Sequence, residues 1–78
     1  MKKIYLENDT EKAYLEDVPK SKPIFAKRGG KLEGMVMKDS QGWLLSIGGE
    51  FGSHGYSETR DECIRIGEKL NFEFFIED

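Results

Sequence analysis

The only histidine of the chain, His54, lies in the stretch Gly48-Gly49-Glu50-Phe51-Gly52-Ser53-His54-Gly55-Tyr56. That stretch holds four of the nine glycines and runs into the strongest helical signal of the sequence. Glycine leaves the backbone free to turn, and the first N–H groups of a helix have no intrahelical partner, so such a junction can gather several amides around one anion. On this reading the amides from Gly52 to Ser57 would cradle a phosphate or carboxylate, helped by the Ser53 hydroxyl, His54 and Arg60. The spacing matches neither G-x-G-x-x-G nor the lysine-bearing P-loop, and Glu50 would repel an anion. The plainer reading of residues 48–57 is a connector.

His54 is the sole side chain whose ordinary pKa lies near neutrality. Nucleophilic catalysis would need it beside Cys63 or a serine, oriented by a third group. Cys63, however, falls on the apolar stripe of the predicted helix, where a cysteine is a structural thiol. His54 with Glu50 or Glu58 offers too few ligands for a metal site. The sequence therefore predicts no catalytic residue, no metal and no cofactor, and the expectation is a non-enzyme.

Two charged regions offer other chemistry. Residues 20–31 contain Lys20, Lys22, Lys27, Arg28 and Lys31 with no acid, and removing that +5 from the net charge of −3 leaves −8 on the remaining residues. With Phe25 among them, these cations could meet a nucleic-acid backbone, but the acidic total argues against it, and lysines on a hairpin also keep an edge strand from pairing. The second region is acidic. Glu58, Asp61 and Glu62, with the aromatic residues Phe51 and Tyr56 just before them, could dock a partner protein, with charge setting encounter rate and specificity. Exposed aromatics and a sheet edge would serve a homo-oligomer equally well.

The elements that must position these residues follow from periodicity. Tyr5-Leu6-Glu7 and Tyr14-Leu15-Glu16 flank Asn8-Asp9-Thr10, which predicts an N-terminal β-hairpin over 1–18; the rival is a short helix from Thr10 to Asp17. Pro19 and Pro23 bracket a connector. Ile24–Lys27, a Gly29-Gly30 turn, Leu32–Lys38, an Asp39–Gly42 turn and Trp43–Ile47 read as a β-meander, with Trp43, Leu45 and Ile47 on one face. Thr59-Arg60-Asp61-Glu62 fits a capping box opening a helix over about 59–70, whose stripe is Cys63, Ile66, Gly67 and Leu70. Asn71 would close it in a left-handed conformation, and Phe72–Ile76 would be a strand with Phe72, Phe74 and Ile76 inward.

The expectation is one α+β domain over 1–78, a hairpin at 1–18 and a meander–helix–strand core at 24–78. It would have a mostly antiparallel sheet of four to six strands with the helix packed across it. One cysteine, no apolar run of about 20 residues and a Met-Lys-Lys start without a secretion-signal core point to a cytoplasmic protein with no membrane contact. The function expected is that of a small binding protein, a bacterial or phage accessory protein or inhibitor acting through protein–protein contact. The alternatives are a phosphate-bearing small molecule at 48–57 and nucleic acid at the basic strip.

Overall fold

The computed structural model describes residues 2–20, 22–47 and 55–78. Among them the chain is α+β, with one helix and seven strands that fall into two antiparallel sheets. The first sheet joins β1 (Lys3–Glu7), β2 (Lys12–Tyr14) and β7 (Phe75–Glu77) in the order β2-β1-β7. The second is the meander β3 (Ile24–Arg28), β4 (Lys31–Lys38), β5 (Trp43–Ile47) and β6 (Gly55–Ser57), in sequence order.

The N-terminal hairpin forms because Asn8 organises its turn. The Asn8 Oδ1 atom accepts from the Thr10 N–H, the Thr10 hydroxyl and the Glu11 N–H, each at 2.8 Å. These bonds satisfy amides that a loop would otherwise leave to water. The rival helix over 10–17 reduces to one 3-10 turn, Leu15–Asp17, which buries Leu15. Gly29 and Gly30 have φ of 60° and 82°, the two positive values that a tight two-residue hairpin turn demands. At the next turn the Asp39 carboxylate accepts from the Gln41 and Gly42 N–H groups at 2.7 and 2.9 Å, which holds that carboxyl below its ordinary range.

Helix α1 (Arg60–Lys69) starts where Thr59 Oγ1 accepts from the Glu62 N–H at 3.2 Å. It ends as the sequence predicts: Asn71 has φ of 65°, the Asn71 N–H donates to Glu68 O and the Phe72 N–H to Gly67 O. Those two bonds satisfy the last-turn carbonyls in a Schellman arrangement. The helix lies across β5 and β6, with Cys63 and Gly67 buried and Ile66 and Leu70 packed against the core. A Cβ at Gly67 would run into the ring of Phe74, so the absent side chain is what lets the helix approach.

Leu6, Leu15, Val36, Leu45 and Cys63 are almost fully buried and form one cluster with Trp43 and Phe72. Trp43 stands at the start of β5, and its indole N–H donates to Leu15 O at 2.7 Å, so this buried ring leaves no polar atom unmet. Burial of each such side chain contributes about 1.5–3 kcal/mol.

The C-terminal run departs from the expected single strand. Phe72 and Glu73 lie along β3, through an Arg28–Phe72 bridge and a Glu73 N–H bond to Lys27 O, whereas Phe75–Glu77 pairs with β1. The run is divided between two sheets, and Ile76 stands on the edge strand of the first, in register with Ile4. Phe72 is buried and Phe74 packs against the core, but Ile76, expected inward, is 63% exposed.

Candidate functional site

Gly52, Ser53 and His54, which carry most of the anion-binding expectation, lie outside the described residues, as does Phe51. The remaining three are occupied by the fold. Gly55 and Ser57 belong to β6, in register with Leu45 and Trp43, and Ser57 is buried. This corrects the expectation that residues 55–57 form an open loop. Arg60 pairs with Glu16 at 2.7 Å, tying the first turn of α1 to the 3-10 turn. Cys63 is buried, and burial pushes its thiol up to about 11, with a Ser57 hydroxyl hydrogen bond pulling weakly the other way. A thiol held neutral in this way is not a nucleophile.

Part of the basic strip is also engaged by the fold. Arg28 donates from Nε to Leu70 O, the carbonyl at the helix C-terminus, and its NH1 lies 3.5 Å from Glu33. Lys27 pairs with Asp9 at 3.3 Å. The backbone of Lys20 forms an isolated parallel β-bridge with Lys38, and the residues Lys20, Lys22 and Lys31 are exposed. Two of the five cations therefore meet carboxylates.

Strand register defines a different feature. On β5 and β6, Leu45 and Gly55 face α1, since Leu45 reaches Gly67 and Gly55 abuts Ile66. Alternation then turns Leu44 and Tyr56 to the opposite face, with Met35 and Met37 of β4 and Phe25 of β3. The pairing sets them in two cross-strand rows, Phe25–Met35–Ser46 and Met37–Leu44–Tyr56. Phe25 is 54% exposed and Tyr56 39%, while Met35, Met37 and Leu44 are half-buried. The Tyr56 hydroxyl donates to Asp39 at 3.2 Å, and burial first, then that hydrogen-bonded acid, hold the phenol above its ordinary value.

Of the expected partner-binding residues, Tyr56 belongs to this outer face and Glu58 follows β6 at its rim, exposed. Asp61 and Glu62 lie on α1, which covers the inner face, so the structure does not bring them to the same surface. Sequence reasoning missed Met35, Met37 and Leu44, although a signal was present. Gly34-Met35-Val36-Met37 and Trp43-Leu44-Leu45 are apolar at consecutive positions, the pattern of strands covered on both faces.

Beside this face, the turn between β1 and β2 and the start of β3 enclose a groove of about 380 Å³, lined by Asp9, Thr10, Lys22, Pro23, Phe25 and Leu32. Leu32 is 45% exposed. The first sheet carries an outward aromatic row, Tyr14–Tyr5–Phe75, with centroids 5.5 and 5.4 Å apart. Lys12 lies over the Tyr5 ring and Lys3 over the Tyr14 ring, so the row's own neighbours cover these aromatic faces. Among the described residues, no three of His, Cys, Asp and Glu are grouped to hold a metal, and no helix is long and apolar enough to cross a membrane.

No protein-family model matches this chain, and no curated protein and no solved structure is significantly similar to it.

Proposed function

We propose that this chain is a non-catalytic protein-binding domain that engages another protein through the outer face of its four-stranded sheet. One observation carries the reading: β4 and β5 carry apolar residues on both faces, and α1 and the core pack against one of them, while on the other Met35, Met37 and Leu44 are half-buried alongside Lys31, Glu33 and the buried Ser46. Phe25, Met35, Met37, Leu44 and Tyr56 are thus the composition of an interface centre, with aromatic anchors and adaptable methionines. Lys27, Glu33 and Asp39 stand at its margin and supply a polar rim of both signs. An accessory protein or inhibitor would act by seating this face on its target.

Nucleic acid is the weaker reading, because phosphate binding needs a run of cations and the outer face offers Lys27, already paired with Asp9, and Lys31, with the acid Glu33 between Lys31 and Met35. A phosphate-bearing ligand at 48–57 loses the support of Gly55, Ser57 and Arg60, which the fold engages.

The test is retention of proteins from a lysate of the producing cells on immobilised parent chain and on a Phe25→Ser/Tyr56→Ser variant. Both side chains are exposed, so the variant should fold. Loss of the retained protein supports the reading, and equal retention on both overturns it.

A further inference from the structure

We propose that β7 is a pairing edge for a second copy of this chain, the two β7 strands meeting antiparallel about a twofold axis at Ile76. The inference stands apart from the protein-binding face and rests on the other sheet.

The edge strands β3 and β7 are treated differently. β3, the long edge of the meander, is closed along its length: Phe25 O accepts from the Asn8 side-chain amide at 2.8 Å, Lys27 O from the Glu73 N–H, and the Gly29 N–H donates to Asn71 O. A register shift between Ala26 and Arg28 distorts it further. β7 carries none of these protections. It pairs with β1 on one side, and no backbone bond among the described residues meets its other side. It contains no proline, lysine or bulge, and its shortness and Glu77 are the devices against recruiting another strand that it does carry. In its middle stands Ile76, the most exposed large hydrophobic side chain among the described residues at 63%. A backbone edge of unmet N–H and C=O groups takes another strand as its occupant.

For a second copy, charge and pattern single out one register. A twofold axis at Phe75 would set Glu77 opposite Glu73 of the second copy, and an axis at Glu77 would set Glu77 opposite its own equivalent. Both place like charges face to face, which is destabilising. An axis at Ile76 sets Ile76 against Ile76, Phe75 against Glu77 and Phe74 against Asp78, with no acid opposite an acid. Ile4 is the cross-strand neighbour of Ile76 within one copy. The same register therefore builds an unbroken row, Ile4–Ile76–Ile76–Ile4, across a six-stranded sheet. The interface is isologous, as a closed dimer requires. Three-residue strands give a small contact, well below the area of a stable complex, so the dimer is weak and concentration-dependent.

Sedimentation equilibrium of the whole chain from micromolar to millimolar concentration tests this, alongside Ile76→Lys and amide exchange of the parent. The expected result is a monomer–dimer equilibrium whose dissociation constant rises at least about tenfold in Ile76→Lys, which sets like charges together at the axis. In the parent, amide exchange within Phe75–Glu77 should slow as concentration rises. A parent that stays monomeric with unchanged exchange throughout overturns the proposal. So does a dimer that Ile76→Lys leaves intact. If the protein-binding face alone is wrong, the β7 result is unaffected, because Phe25→Ser/Tyr56→Ser leaves this edge in place.

Discussion

Arg28 illustrates how one side chain can be misread from charge alone. In the sequence it belongs to a cluster of cations; in the fold its guanidinium caps the C-terminus of α1 through Leu70 O, where the helix dipole is negative. The same residue reaches Glu33, and its backbone bridges Phe72, so it ties β3 to both helix end and C-terminal run. Lysine keeps the charge but not the planar donor array that lets Nε and NH1 reach two partners at once. We expect Arg28→Lys to destabilise the protein by about 1–2 kcal/mol. Lys31→Ala, at an exposed position, should stay within about 0.5 kcal/mol of the parent. Urea unfolding of the two variants decides it. Equal effects would mean that Arg28 is a surface cation like its neighbours.

At the scale of elements, local chemistry is legible wherever neighbours in sequence supply the partner. Thr59 and Asn71 bound the helix because cap and left-handed turn need only residues within one turn. Gly29-Gly30 closes its hairpin for the same reason. The C-terminal run was not legible, since its division between β3 and β1 depends on strands about 45 and 70 residues earlier in the chain, beyond any local pattern. The fate of residues 55–57 was hidden similarly: pairing with β5 outweighs glycine's freedom, and that partner lies 10 to 14 residues earlier in the chain. Gly67 tests how far tertiary contact overrides propensity. Alanine would gain about 1 kcal/mol of helix propensity, but its Cβ would enter the Phe74 ring with Leu45 close behind at 3.1 Å. Overpacking of this kind costs about 1–3 kcal/mol. We expect Gly67→Ala to lower the thermal midpoint despite a better helix former, and Gly67→Ala with Phe74→Leu to recover part of the loss. A midpoint raised by the single change would show that the approach of helix to Phe74 is loose.

Over the whole molecule, the first sheet fastens the two ends of the described chain together, and its outer face does so with charge. Glu77 on β7 accepts from the Tyr14 hydroxyl at 2.8 Å and pairs with Lys12 at 3.0 Å, both on β2 across the intervening β1. Those hydrogen bonds hold the Glu77 carboxyl below its ordinary value, Tyr14 first and Lys12 second, and Lys3 adds to the effect. In return Glu77 raises both the Lys12 ammonium and the Tyr14 phenol. A lowered acid binds protons less readily in the folded state, so Glu77 stabilises the fold above the ordinary carboxylate value, about 4.3, and loses that contribution as pH falls through its lowered value. Lys12 and Tyr14, being raised, contribute below their ordinary values of about 10.4 and 10 and lose the contribution as pH rises through the raised ones. The difference in unfolding midpoint between parent and Glu77→Gln should therefore be flat from about pH 5 to 9 and shrink on either side. Asp39 is lowered too, by the Gln41 and Gly42 amides, so both proteins lose stability in acid and only their difference reports on Glu77. Midpoints that run parallel across the whole range would leave the cohesion of the two ends to the Tyr5–Phe75 stack and the backbone ladder alone.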